Sequence, residues 1–237
     1  MSSMPTPQHL VLLPGLNNTG AVFARLQQAL APVAGLQTWA PDNPALPSVQ
    51  AIAQALLPTL PERFWLAGFS FGGYVAMALL DAAPERVQGL ALVCSAPGGE
   101  SPAAAARRQV ALDALAQGRY FEMVQAQAGN AFHPDSLRDE ALMREREAMV
   151  RAYGPETYAA HLRAAMTRPD YSHRIDGQRP TLAVSSLQDA VFPPAAMAWA
   201  EQRPGVRHER IDGAGHLLPM EQPQALAQVL ARWVGVA

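Results

Sequence analysis

The stretch Phe64-Trp65-Leu66-Ala67-Gly68-Phe69-Ser70-Phe71-Gly72-Gly73-Tyr74-Val75 decides how this chain folds. An apolar run of strand character enters Gly-x-Ser-x-Gly and passes, without a spacer, into a helical pattern from Phe71 to Ala83 that Pro84 stops. Ser70 must then occupy a strained turn between strand and helix, because the glycines two positions either side remove Cβ atoms that would collide across it. A serine so placed stands out above a sheet edge. The unpaired N–H groups and dipole of the following helix favour negative charge developing beside it. A Gly-rich phosphate loop would share the glycines, but it would not need the partners for Ser70 that the rest of the chain supplies.

On either side of this stretch, short β-branched and apolar runs alternate with longer helical patterns. Strands are expected at His9 to Leu13, Leu36 to Trp39, Phe64 to Ala67, Val87 to Val93, Pro180 to Ser185 and Val206 to Ile211. Helices are expected at Thr19 to Leu30, Ser48 to Leu57, Phe71 to Ala83, Pro194 to Arg203 and Pro223 to Val234. That alternation predicts an α/β fold with a mostly parallel sheet of about six strands.

One segment breaks the pattern. From residue 97 to 171 there is no strand signal, only four helical patterns: one opened by Ser101 and Pro102, one from Tyr120 to Ala128, one from Asp135 to Tyr153, and one opened by Gly154 and Pro155. The segment is too long for a loop and reads as a helical cap over the carboxyl ends of the strands. The expected organisation is a core of residues 1–96 and 172–237 with a cap at 97–171. Glu140 with Arg144, and Glu147 with Arg151, fall four residues apart and read as a solvated helix face.

A serine hydroxyl needs a base, and that base an orienting carboxylate. Of six histidines, His216 follows the last strand on the tight loop Ile211-Asp212-Gly213-Ala214-Gly215-His216, at the edge where open α/β sheets collect their catalytic groups. His9, His133, His161, His173 and His208 read as structural. The carboxylate should follow the strand between Ser70 and His216, which selects Asp189 in Ser186-Leu187-Gln188-Asp189. Asp212, beside Gly213, reads as a turn residue. The position after the preceding strand holds Cys94 and Ser95, neither a carboxylate. Oxyanion donors are expected from the N–H of Phe71, after the nucleophile, and from the loop Leu13-Pro14-Gly15-Leu16-Asn17-Asn18. There Pro14 has no N–H and Leu16 is the first side-chain-bearing donor. Asn17 and Asn18 read as turn and cap residues.

Composition limits the alternatives. A chain of 237 residues, 49% hydrophobic and 16% charged, is material for one large domain rather than a disordered or coiled-coil chain. A net charge of -2 gives no basic surplus for a phosphate backbone or an anionic membrane, so neither nucleic acid nor membrane is expected as a partner. The single cysteine, with no signal-peptide pattern at the start, points to the cytoplasm. No His, Asp or Glu cluster has metal-ligand spacing, and no cofactor or metal is expected.

Leu12-Leu13-Pro14-Gly15, Gly68-Phe69-Ser70-Phe71-Gly72-Gly73, Gln188-Asp189 and Gly213-Ala214-Gly215-His216 resemble the bacterial α/β-hydrolase family over nearly the whole chain. The nearest branches in likeness are small esterases and lactonases, of the 3-oxoadipate enol-lactonase and pimeloyl carrier-protein esterase kinds. The resemblance implies the α/β-hydrolase fold with a four-helix cap, Ser70 as nucleophile, His216 as base, Asp189 as orienter, and Leu16 and Phe71 as oxyanion hole. It implies an ester or lactone of a small to medium acyl group as substrate. The same triad would also serve acyl thioesters or carbon–carbon bonds, and a non-catalytic receptor on this fold is the reading from another class. An acyl carrier protein is the less favoured partner, with Arg144 and Arg151 as the residues that would meet it. The chain departs from the family in carrying Pro14 where relatives usually have His, in Ser186 where they often have Gly, and in lacking room before His9 for the two antiparallel edge strands that commonly start the fold.

Overall fold

A computed structural model describes residues 7–236. Six strands form one sheet: β1 (Gln8–Leu13), β2 (Leu36–Trp39), β3 (Phe64–Phe69), β4 (Val87–Val93), β5 (Thr181–Ser186) and β6 (Val206–Ile211). Their order is β2-β1-β3-β4-β5-β6, and every neighbouring pair is parallel. The expected mixture is therefore a wholly parallel sheet, with no antiparallel edge strand among the described residues.

Period-two alternation distributes the strand side chains to two cores. Leu10, Leu12, Phe69, Val93 and Val184 face one side, against the helices α1 (Ala24–Leu30) and α10 (Pro223–Val234). Val11, Leu13, Leu66, Leu90 and Leu92 face the other, against α2 (Val49–Leu56) and α3 (Phe71–Ala82). Both faces are covered, which is why these strands read as continuous apolar runs. Ser48 caps α2 by accepting from the Ala51 N–H at 3.2 Å.

The strand order reverses direction at β1. The loops after β1 and β3 therefore flank a switch point, where a crevice opens at the carboxyl edge. This is the geometric reason that the Leu16 loop and Ser70 become neighbours.

Between β4 and β5 the chain is helical: α4 (Pro102–Ala116), α5 (Tyr120–Ala126), α6 (Ala128–Ala131) and α7 (Glu140–Met166). One expected boundary shifts here. The stretch from Asp135 splits into a short 3₁₀ turn at Ser136–Arg138 and the helix that follows it. The expected break at Gly154 is present: its φ of 72° and ψ of 167° are not helical, so α7 consists of two helices meeting at a kink, the second opened by Pro155. Pro194–Met197 is 3₁₀, leaving only α8 (Ala198–Glu201) as α-helix, and a short α9 (Leu218–Glu221) precedes α10. No helix among the described residues is long and apolar enough to cross a membrane.

Candidate active site

Ser70 has φ 52° and ψ -118°, a conformation that costs an L-residue on the order of 1–3 kcal/mol and persists only where its surroundings enforce it. The enforcement is visible. A Cβ on Gly68 would collide with the backbone of Gly72, and one on Gly72 with the carbonyl of Leu13. The Ser70 N–H is held by the Val93 carbonyl at 2.9 Å, and its own carbonyl accepts from the buried Ser95 hydroxyl at 2.8 Å. Ser95 was legible in the sequence only as a residue that is not a carboxylate.

His216 presents Nε2 to the Ser70 hydroxyl at 2.9 Å and Nδ1 to Asp189 Oδ2 at 2.7 Å. Asp189 is buried, and its other oxygen accepts the N–H groups of Val191 at 2.8 Å and Phe192 at 2.7 Å. The carboxylate thus makes three hydrogen bonds and cannot rotate without losing some of them. Asp212 lies apart from this chain. It is exposed, accepts from Gln188 at 2.6 Å and from the Gly213 N–H at 2.9 Å, and these bonds hold its carboxyl below the usual range. Its place is the turn. Ser186 donates to the Ala214 carbonyl, tying the end of β5 to the loop of His216.

Leu16 and Phe71 lie at the crevice beside Ser70. Neither N–H has an acceptor among the loop and cap hydrogen bonds of the described residues, which leaves both open to a ligand oxygen. Gly15 makes the approach close: a Cβ there would lie 3.1 Å from that of Ser70. Asn17 adopts φ 57°, consistent with a turn, and Asn18 donates to the Leu16 carbonyl at 2.7 Å. Both asparagines also hold the helical insertion. The Tyr120 hydroxyl donates to Asn17 Oδ1 at 3.0 Å, and the Arg146 guanidinium donates to the Asn17 carbonyl at 2.5 Å and to Asn18 Oδ1 at 2.7 Å.

Two further groups join the insertion to the site. His161, fully buried, stacks on the Phe71 ring at 4.9 Å between Tyr153 and the Pro44 carbonyl, 2.6 and 2.8 Å away, and burial lowers its pKa. Glu221 accepts the His133 N–H at 2.7 Å and the Gly215 N–H at 2.9 Å. Burial pushes its carboxyl above the usual range despite those bonds. Arg144 and Arg151 form exposed pairs with Glu140 at 3.3 Å and Glu147 at 2.6 Å, as their spacing predicts.

One group of metal-ligating side chains converges here that spacing did not bring out: Cys94, Asp189 and His216, whose ligand atoms lie within 4.8 Å of one another. Asp189 and His216 turn those atoms on each other, and burial followed by the nearby Asp189 charge pushes the Cys94 thiol well up, keeping it neutral and a poor ligand.

A parallel sheet switched at its first strand, with a serine on a strained elbow above it, defines a class of enzymes in which loops at one sheet edge supply the chemistry. Residues 10–229 match the alpha/beta hydrolase family, and the chain belongs to it. It is 28% identical over 251 residues to a pimeloyl-[acyl-carrier protein] methyl ester esterase of Aromatoleum aromaticum, covering 93% of this chain and 96% of that protein. Among solved structures it resembles a thermophilic esterase from Thermogutta terrifontis, with a TM-score of 0.87 at 23% identity, over 97% of this chain and 90% of the other. It also resembles the enol-lactonase from Burkholderia xenovorans, with a TM-score of 0.81 at 20% identity, over 97% and 92% of the two chains.

Proposed function

We propose that this chain hydrolyses carboxylic esters or lactones of small to medium acyl groups through an acyl-enzyme formed on Ser70. The observation that carries the reading is the unbroken hydrogen-bonded line from Ser70 Oγ through His216 to Asp189. Ser70 Oγ attacks the ester carbonyl while His216 Nε2 takes its proton. Asp189 keeps the Nδ1 proton in place and stabilises the imidazolium that results. The carbonyl oxygen gathers negative charge and accepts hydrogen bonds donated by the N–H groups of Leu16 and Phe71. The tetrahedral intermediate collapses as the imidazolium protonates the leaving alkoxide. Water, deprotonated by the same imidazole, then attacks the acyl carbon, and its breakdown returns the proton to Ser70.

In this reading residues 97–171 are a cap over the crevice, the core is 1–96 and 172–237, and the protein works in the cytoplasm. A fluorophosphonate probe should label the protein once, on Ser70, and Ser70→Ala should lose both labelling and turnover. An unlabelled, inactive wild type would instead favour a ligand-binding receptor.

The name of the Aromatoleum relative supports a second reading, in which the ester is carried on an acyl carrier protein. Comparing kcat/KM for a methyl ester on a carrier protein with the same methyl ester of the free acid decides it. The pairing of Arg144 and Arg151 with Glu140 and Glu147 leaves them little net charge to offer an acidic carrier.

A further inference from the structure

The peptide that carries the Leu16 N–H is held at three successive carbonyls. The Gly15 carbonyl, which shares a peptide plane with that N–H, accepts the Asn18 N–H at 3.3 Å, and the Leu16 carbonyl accepts the Asn18 side-chain amide at 2.7 Å. Both bonds are local to the turn. The third is not: the Pro14 carbonyl accepts from the Asn43 side-chain amide at 2.9 Å, across 29 residues of sequence. Because β2 lies beside β1 in parallel, residues 40–44 leave the sheet at the same edge as the loop after β1. They grip that loop twice, Asp42 Oδ1 accepting the Gly20 N–H at 2.6 Å while Asn43 holds Pro14. Pro14 in turn lies against the elbow, where a Cβ on Gly72 would be 2.8 Å from the Pro14 carbonyl oxygen.

Asn43 is 7% exposed, and its Oδ1 has no partner among the described residues. A buried amide left half-paired is a poor choice for stability alone. What it supplies is a donor, and only its nitrogen end can bond to a carbonyl, so Pro14 fixes its orientation. The Asn43 loop is seated in turn from the helical insertion. His161 of α7 donates its Nε2–H to the Pro44 carbonyl at 2.8 Å, since a carbonyl only accepts. In the neutral ring that burial favours, Nδ1 is then bare and accepts the Tyr153 hydroxyl at 2.6 Å. The same ring stacks on Phe71 at 4.9 Å with the planes 25° apart. One buried imidazole thus touches the residue of one oxyanion donor directly and reaches the loop of the other through Pro44, Asn43 and Pro14.

We infer that Asn43 is a positioning residue for the oxyanion hole and is seated by His161, so that the helical insertion sets the donor geometry at Ser70. This rests on the reading of Ser70 as nucleophile with Leu16 and Phe71 as donors. An N–H stabilises an oxyanion to the extent that it is aimed before the charge develops. Freeing the Pro14 carbonyl lets its peptide turn, and the Gly15–Leu16 peptide after it, while the crevice still binds substrate. The loss therefore falls on the transition state.

The test uses the full chain, p-nitrophenyl butyrate as substrate and two ketones as inhibitors. Butyl trifluoromethyl ketone is attacked at its carbonyl carbon by Ser70 Oγ as His216 takes the hydroxyl proton, and the C=O electron pair moves onto an oxyanion that needs the donors. Butyl methyl ketone occupies the crevice without adding. Asn43→Leu, similar in size but without a donor, should lower kcat/KM by about 10- to 100-fold, less than the loss of a donor outright. Its Ki for the trifluoromethyl ketone should rise by the same factor, with that for the methyl ketone within about two-fold of wild type. His161→Phe, which keeps the stack on Phe71 and loses the Nε2 donor, should move both quantities in the same direction by less. Rates are expressed per Ser70 labelled to completion with a fluorophosphonate, so any inactive fraction cancels. One arm needs no variant to fold. In wild type carrying isotope-labelled asparagine, of which the chain has four residues, a slowly exchanging side-chain amide should shift when the trifluoromethyl ketone adds and not when the methyl ketone binds. A merely structural role would lower Tm and leave the ratio of the two Ki values unmoved in Asn43→Leu. That result, wild-type kinetics in Asn43→Leu, or no amide answering to the trifluoromethyl ketone alone would each overturn the inference. Failure of the serine-hydrolase reading looks different: wild-type Ser70 stays unlabelled and p-nitrophenyl butyrate is not cleaved.

Discussion

Ser70, Asp189 and His216 are held by backbone, whereas the helical insertion, apart from its stretch 131–133, docks on the core largely through side chains. Each triad residue stands just past a strand of the sheet, and its neighbours fix it through main-chain groups: Val93 and Ser70, Val191 and Phe192 with Asp189, Ala131 with His216. The insertion meets the core through Tyr120, Arg146, His161 and a few others, polar groups reaching across more than a hundred residues of sequence. Main-chain fixing gives the precision that proton transfer needs. Side-chain docking leaves most of the insertion, outside 131–133, free to vary in sequence while the loops of Ser70, Asp189 and His216 stay put.

The sharpest way to break this contrast is at the triad. Under the proposed mechanism Ser70→Ala should remove turnover by about 10⁶-fold, and Asp189→Asn should cost about 10⁴-fold in kcat while binding persists. Asp212→Asn, a turn carboxylate, should cost a few-fold at most. Should steady-state kinetics show Asp212 to be the sensitive one, the acid has been misplaced.

Next in size are the ties. Glu221→Ala strands the N–H groups of His133 and Gly215, an unfolding penalty of about 1–3 kcal/mol for each that stays buried and unpaired. Thermal melts should register it as a clear drop in Tm, together with a fall in kcat, because Gly215 adjoins His216. A drop in Tm with kcat untouched would show that the tie supports the fold alone. Ser95→Ala removes one buried hydroxyl bond to the strained elbow and should cost about 1 kcal/mol; its Tm should exceed that of Glu221→Ala.

His161 gives the contrast a pH dependence. Its pKa is lowered by burial in the folded chain, so the unfolded chain binds more protons as pH falls below about 6.5. The stability it contributes is present above that value and is lost as pH falls through its folded pKa. Melts between pH 7 and pH 5 should therefore show a decline that is shallower in His161→Gln, and an identical decline would remove His161 from the account. The smallest effect belongs to the solvated face: Arg144→Gln should change stability by less than about 0.5 kcal/mol, and a larger loss would mean that this face is not free.

The elbow was legible because its constraint is local: glycines at 68 and 72 can be read without knowing what they approach. The same holds for Asp189 and His216, whose loops follow recognisable strands. Asn17 and Asn18 were legible as turn residues but not as docking points, since their partners Tyr120 and Arg146 lie 103 and 129 residues away. His161 and Glu221 carry no local signature, because burial and a bond across the fold make them matter. Gly154 was legible for the same local reason as the elbow: a Gly-Pro pair opens a helix, and the backbone leaves helical geometry there, while Tyr153 and Tyr158 pack into one cluster from either side of the kink.

The approach of Ala131, Phe132 and His133 to the loop of His216 bears on how such enzymes diversify. His216 and Leu217 both donate to the Ala131 carbonyl, at 2.8 and 3.2 Å, and a methyl group on Gly215 would meet the Phe132 carbonyl carbon at 2.6 Å. A lineage could exchange α4 and α5 for helices of another length and inherit a new specificity in one recombination event. Residues 131–133, the last of α6 and the two after it, do not travel so freely. A chimaera joined within them would receive a foreign insertion and lose the support of its own His216 loop, so viable crossovers should cluster on either side of 131–133.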